Sequence, residues 1–353
     1  MNGIGIDFGT SYVKIVQLSK TSSGYEVHNV GKKAVIEDIS RFNPEKIGKS
    51  HWVAAIQELC NDMKINPKRV KNAVSSISGQ NVSVRQVTTM EMGEEELISS
   101  LEFEAKKHIP MDGTEAIIDF HTIGSDPIEL DKMNVLMVAS TKNIINHHNE
   151  IIQEAGFKNG IFDADPISLA NTYISTIGLT PDGTDVLLNI GNQSTTLVVW
   201  GVDHKYFTRE VNFGGDHFTR AAMTAHDMDY KNAEEIKIET GVDSATHHDD
   251  SDQDDSPIAI KIEEKTVFTN LVEEIRKTLR YYMKTNNQNF FNKFYLTGGS
   301  ADLVGLKEFI GEHLNVQIEI LNPFVNLENA KEIENPAQYS IAVGCAVRSL
   351  EKD

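Results

Sequence analysis

Two short stretches carry residue types that can hold a phosphate chain. Residues 4–16 read Ile-Gly-Ile-Asp-Phe-Gly-Thr-Ser-Tyr-Val-Lys-Ile-Val, and residues 186–199 repeat the pattern as Val-Leu-Leu-Asn-Ile-Gly-Asn-Gln-Ser-Thr-Thr-Leu-Val-Val. Each is an apolar strand, a tight polar turn and a second apolar strand. In the first turn Gly9, Thr10 and Ser11 offer backbone N–H groups and hydroxyls, with glycine expected to supply the positive φ of an anion-binding nest. Lys14 adds a positive charge, and Asp7 at the strand end can hold a magnesium-bound water. Gly191, Asn192, Ser194 and Thr195 offer similar donors from the second turn. The copies differ where Asp7 is matched by Asn189, which keeps a carbonyl acceptor but loses the charge. Asn189 can still reach magnesium through water, so the exchange points toward holding nucleotide rather than turning it over quickly.

Three further segments suit the same ligand. Asp163-Ala164-Asp165-Pro166 can present the Asp165 carboxylate to an attacking water, although Asp before Pro also suits a helix N-terminus. Glu234 and Lys237 lie one helical turn apart and can contact an adenosine; read blandly, they are an exposed ion pair worth a few tenths of a kcal/mol. Leu296-Thr297-Gly298-Gly299-Ser300 ends a strand with glycines that let a nucleoside approach the backbone, though such strand-to-helix turns are common.

The elements needed to position these groups can be read from periodicity. Strands are expected at 3–8, 12–18, 25–36, Val70 to Ile77, 186–199 and Phe207 to Asn212. Helices are expected at 51–63, 143–155, 167–176, 264–284, 303–313 and 339–350. Residues 81–138 read as a separate strand–helix–strand–strand module, its helix opened by Glu94-Glu95-Glu96 and stopped by Pro110. Residues 246–257 contain no apolar side chain and read as a solvated loop. Adjacent His and Asp there make only a weak metal candidate.

At 353 residues the chain fits two domains. A formal net charge of −19 excludes a general nucleic-acid binder and disfavours anionic lipid. The two cysteines, Cys60 and Cys345, are far apart without a ligand pattern, so buried thiols in a reducing cytosol are expected. No stretch approaches the roughly 20 apolar residues of a membrane span, and the N-terminus lacks a signal-peptide pattern. A cytoplasmic protein without direct membrane insertion is expected.

Together the segments resemble the actin, Hsp70 and sugar-kinase superfamily, and within it the PilM family of type IV pilus assembly proteins, similar in turn to FtsA. The resemblance rests on Gly5-Ile6-Asp7-Phe8-Gly9-Thr10-Ser11 with Val13-Lys14, Lys107-His108-Ile109-Pro110, and Phe207-Thr208-Arg209-Glu210 followed by Gly214-Gly215. Asn322-Pro323-Phe324 and Ala342-Val343-Gly344 close the pattern. It implies an α/β, actin-like two-domain fold with an FtsA-type α+β insertion. On that fold, subdomain 1A spans 1–80 and 141–184, with the insertion 1C at 81–140. Subdomain 2A spans 185–208 and 288–334, 2B spans 209–287, and 335–353 form a closing helix. The resemblance also implies ATP and Mg2+ as ligands. As partner it implies the N-terminal tail of a PilN-type bitopic inner-membrane protein, which recruits the protein to the inner face of that membrane and links it through PilO to the pilus motor ATPases. An FtsA-like polymer and a small-molecule kinase with Asp165 as base are the alternatives. The chain ending at Asp353 without an amphipathic terminal helix disfavours the FtsA-like one.

Overall fold

The computed structural model describes residues 2–79, 81–107, 109, 115–126, 129–245, 266–330 and 332–351. The chain opens with β1 (Asn2–Phe8), β2 (Tyr12–Lys20), β3 (Tyr25–Ala34), α1 (Lys49–Asp62) and β4 (Ala73–Ile77). An inserted module follows: β5 (Val82–Met90), α2 (Glu94–Ala105), β6 (Ala116–Ser125) and β7 (Lys132–Thr141). Then come α3 (Lys142–Glu154), β8 (Gly160–Ala164) and α4 (Asp165–Thr176). The second half holds β9 (Asp185–Ile190), β10 (Thr195–Trp200), β11 (Phe207–Val211), α5 (Gly215–His226), α6 (Tyr230–Thr240) and α7 (Val267–Asn286). It ends with β12 (Phe294–Thr297), α8 (Leu306–Leu314), β13 (Ile318–Ile320) and α9 (Ser340–Arg348).

The doubled hairpin reflects a doubled sheet. One sheet has the order β3-β2-β1-β4-β8 and the other β11-β10-β9-β12-β13. In each, three strands run antiparallel and two more join in parallel. Alternation along β9 explains how its sheet is covered. Val186, Leu188 and Ile190 face a core with Phe268, Leu271 and Ile275 of α7, whereas Leu187 faces Leu169 and Tyr173 of α4 and Ile341 of α9. Strand β1 follows the same period with a different residue choice. Ile4 and Ile6 pack with Ile56 and Leu59 of α1 and Ile151 of α3, while Gly5 faces α9, where a Cβ would come 2.0 Å from the Ala342 carbonyl.

Helices α4 and α9 cross between the two sheets. At Gly344 a Cβ would meet the Ser168 carbonyl at 1.8 Å, so the helices touch backbone to backbone. The inserted module has its own sheet, β5-β7-β6, and its own core of Leu97, Leu101, Ala105, Ile109, Val135, Met137 and Ala139.

Boundaries shift where capping overrides periodicity. Helix α2 ends at Ala105, short of the expected stop; Pro110 and His108 lie outside the described residues, as does the acidic loop at 246–257. Helix α7 begins after Thr266, whose hydroxyl accepts from the Thr269 N–H. Helix α8 begins at Leu306 because Gly305, at φ +74°, breaks the backbone before it. Gly344→Ala is expected to cost about 3 kcal/mol, since a backbone carbonyl cannot rotate aside as a side chain can. Gly93→Ala, where a Cβ meets nothing within 4 Å, should stay within about 1 kcal/mol. Paired thermal and urea melts would reveal it, and equal losses would remove the close-approach argument.

Candidate nucleotide cleft

Both polar turns open into one cavity of about 640 Å³, within the roughly 300–1,000 Å³ usual for small-ligand sites. From the first half it is lined by Asp7, Gly9, Thr10, Ser11 and Lys14, and from the second by Asn189, Gly191, Asn192 and Ser194. Asp165, Glu234, Lys237, Gly298, Gly299 and Ser300 also line it. The turns touch across the cleft, where Asn192 Nδ2 donates to Thr10 Oγ1 at 3.0 Å. A second bridge pairs the Phe42 and Tyr230 rings, their centroids 5.2 Å apart.

Thr195 does not belong to this lining. Its side chain is fully buried and its hydroxyl donates to the Phe213 carbonyl at 2.8 Å. Strand alternation turns the next residue, Thr196, to the cavity instead.

The first turn is also built differently from the nest expected of it. Gly9 is not among the positive-φ residues. Glycine is required there because a Cβ would lie 2.5 Å from the Tyr12 carbonyl. Positive φ occurs at Gly298, at +96°, where a Cβ would come 2.7 Å from Asn189 Oδ1. That glycine lets the β12 turn pass directly beside Asn189.

Lys14 donates to Asp7 at 2.8 Å, its partner in the β1–β2 register, and both side chains are largely buried. A phosphate reaching this turn would share the ammonium with Asp7. Glu234 and Lys237 are not the surface pair that their spacing allows. Lys237 is buried and donates to Glu234 at 2.6 Å and to Thr219 Oγ1 at 3.0 Å, fixing both on the α5–α6 wall.

The two aspartates of the 163–166 segment have separate roles. Residue Ala164 caps α4 without a side-chain bond, so neither aspartate serves as its N-cap. Asp165, the first residue of α4, accepts from Ser76 of β4 and faces the cavity. Burial holds its carboxyl well above the usual range, reinforced by the charges of Asp7 and Glu210 and opposed by Ser76 and Lys14. Such a carboxylate is a stronger base than a solvated one. Asp163 instead accepts from its neighbour's N–H at 2.8 Å and from Ser168 at 3.2 Å. Burial raises it to about 6.

Several lining groups carried no sequence signal of their own. Trp52 of α1 donates its indole N–H to the Gly9 carbonyl at 3.2 Å and meets the His147 ring edge-on. His148 is held below the ordinary histidine range, chiefly by burial, and so is neutral near pH 7. These groups sit on helices whose periodicity announced only a buried face.

Two observations favour a bound ligand. Gln193 Nε2 lines the cavity buried and without a partner, an arrangement that costs free energy unless something accepts from it. At Gly299 a Cβ would meet no protein atom within 4 Å, so packing does not require glycine there. Both fit a nucleotide. Among the described residues no three His, Cys, Asp or Glu side chains group closely enough to hold a metal ion by themselves. Asp7 and Asn189, the residues expected to reach magnesium through water, both line this cavity. Cys60 and Cys345 are buried free thiols, and among the described residues no helix is long and apolar enough to cross a membrane.

Asp163 makes a testable contribution to pH dependence. Its folded pKa is raised from the ordinary 3.8 to about 6, so its contribution is full below pH 4 and is lost as pH climbs through 6. Across that window wild type should lose up to about 3 kcal/mol relative to Asp163→Asn. Urea unfolding at a series of pH values measures this; parallel curves would contradict it.

A family model described as type IV pilus assembly protein PilM matches residues 5–350. The cell division protein FtsA of Enterococcus hirae is 24% identical over 372 residues, covering 94% of this chain and 80% of FtsA. Among solved structures, a chain of a PilM–PilN type IV pilus biogenesis complex superposes with a TM-score of 0.80 at 22% identity, covering 99% of each chain. The ethanolamine utilization protein EutJ of Carboxydothermus hydrogenoformans does so with a TM-score of 0.55 at 13% identity, covering 98% of this chain and 89% of EutJ. The fold is the actin-like one.

Proposed function

The chain belongs to the type IV pilus assembly protein PilM family, and from that premise we propose that it acts in pilus biogenesis as a scaffold whose two halves are held together by ATP. The observation that carries the nucleotide is the shared cavity, because residues of both turns converge there together with the Gly298–Gly299 turn. A triphosphate at Thr10, Ser11 and Lys14 would also meet Asn192 and Ser194. The nucleoside would lie along Glu234, Lys237 and the open face of Gly299, with Ser300 beside it. Such a ligand fixes the angle between the halves, since it contacts both.

The partner follows from the same premise. One structural neighbour is a PilM–PilN complex, and we assign to this chain the capture of an N-terminal tail from a PilN-type bitopic inner-membrane protein. That contact would bring the chain to the inner face of the membrane and link it, through PilO, to the motor ATPases. The domain division 1–80, 81–140, 141–184, 185–208, 209–287, 288–334 and 335–353 is part of the proposal, with the inserted module at 81–140 beside the docking groove.

Hydrolysis is a minor activity in this reading. Bound magnesium would neutralise phosphate charge. The side chains available around it are Asp7, already paired with Lys14, and the neutral Asn189. Asp165 is the remaining candidate to take a proton from water.

Titration with magnesium-ATP tests the site. Lys14→Ala should weaken binding about tenfold, near 1.4 kcal/mol. Gly299→Ala should also weaken it with little change in melting temperature, because the added Cβ meets no protein atom within 4 Å and lies in the cavity lining. Unchanged affinity in both variants would remove the cleft assignment, and failure of a PilN-type tail peptide to bind would remove the partner. Restoring charge by Asn189→Asp should raise turnover at least tenfold if its neutrality limits hydrolysis; an unchanged rate would show that it does not.

A further inference from the structure

Glu210 closes the segment Phe207-Thr208-Arg209-Glu210, yet it does not line the cavity. It lies behind the second turn. Ser194 Oγ donates to one oxygen of its carboxylate and Thr196 Oγ1 to the other, the latter at 3.0 Å. Both hydroxyls belong to residues that line the cleft. A serine or threonine hydroxyl has one proton to donate. While Glu210 holds both protons, neither can be given to a phosphate.

The same carboxylate, through the oxygen that accepts from Thr196, also touches the root of the inserted module. A Cβ at Gly79 would lie 2.3 Å from Glu210 Oε2, so that glycine leaves the space the carboxylate fills. Gly79 sits between β4 and β5, and its neighbours Ser78 and Asn81 line the cleft. Asn81 N–H donates to the Ser78 carbonyl at 2.9 Å, and Ser140 of β7 donates to the Asn81 carbonyl at 2.8 Å. The strands entering and leaving the module are thus tied at this point. Farther out, the Tyr206 N–H donates to Gln86 at 2.8 Å and Lys205 donates to Thr88 at 3.1 Å, so the chain entering β11 also grips β5.

We propose that Glu210 competes with the nucleotide's phosphates for the hydroxyl protons of Ser194 and Thr196, and so couples the cleft to the root of the inserted module. When the hydroxyls turn to phosphate, the carboxylate loses two hydrogen bonds and its position against Gly79 is no longer held. Binding at the cleft then loosens the module's root, and by reciprocity whatever tightens that root weakens nucleotide binding. Glu210 is a positioning residue here, not a catalytic one. The inference rests on the nucleotide reading given above.

The sign distinguishes this role from a structural one. Removing a competitor should raise affinity, whereas damaging the turn should lower it. Glu210→Ala and Glu210→Gln in the full chain are each expected to bind magnesium-ATP at least about fivefold more tightly, the low end of ordinary coupling. The glutamine variant keeps the shape and guards against misfolding of the alanine one. In hydrogen exchange, ATP should speed amides at 81–90 in wild type, and this response should vanish in Glu210→Ala. Gly79→Ala, whose Cβ would displace the carboxylate, should alter the response in wild type but not on the Glu210→Ala background. Affinity unchanged or weakened in both Glu210 variants, with the response at 81–90 intact, would overturn the coupling while leaving the nucleotide site standing. If wild type binds no ATP, the nucleotide reading falls and the coupling with it.

Discussion

The packing of α4 against α9 is the contact on which the rest of the structure depends. These helices lie between two sheets of identical strand order, and each sheet covers its inner face with them. The approach is set by small residues rather than by interdigitated large ones: Gly344 against the Ser168 carbonyl, and Gly5 of β1 against Ala342. Because neither contact can expand without breaking backbone packing, the distance between the sheets is narrowly constrained. The two hairpin turns project from equivalent positions, and that constraint puts Asn192 within hydrogen-bond reach of Thr10.

Electrostatics in the cleft follows from this geometry. Asp7 and Glu210 come near enough to act on Asp165, with Lys14 opposing them. Hydroxyls from Ser76, Ser194 and Thr196 donate to the less solvated carboxylates, and Asp7 takes the ammonium. Lys14, Ser194 and Thr196 are thus already engaged with protein carboxylates, so a triphosphate that uses these three has to redistribute existing hydrogen bonds. Gln193 adds a buried amide donor that has no protein partner.

Much of the cleft was legible because hydrogen-bonding types and their order are local. Asp7, Thr10, Lys14, Asn192 and Ser194 stand in hairpins whose alternation alone places them at a strand end or a turn. Thr195 differs from expectation because two adjacent threonines are indistinguishable by type, and only the register with β9 and β11 says which faces the cavity. Gly9 is needed for space beside Tyr12 rather than for positive φ, a contact that a φ-based argument does not contain. The buried state of Lys237 depends on α5 lying against α6, which spacing along α6 cannot report. Trp52 and His147 line the cleft without a sequence signal for the same reason, since each reaches it from a helix outside the two hairpins.

The sequence by itself determined the doubled architecture and the chemistry available to it. Periodicity sets strand and helix, and the repeated hairpin carries its donors with it wherever the fold places it. The membership of the PilM family could be read at the same level, from motifs spread along the chain. Tertiary structure alone decided which donors are free. Lys14 is shared with Asp7, Asp165 is buried with a raised proton affinity, and Glu210 holds two hydroxyls of the second turn. The physical reason is that a side chain's type and position are properties of the local chain. Its hydrogen-bond partners, burial and charge are set by groups that only packing brings within a few ångströms.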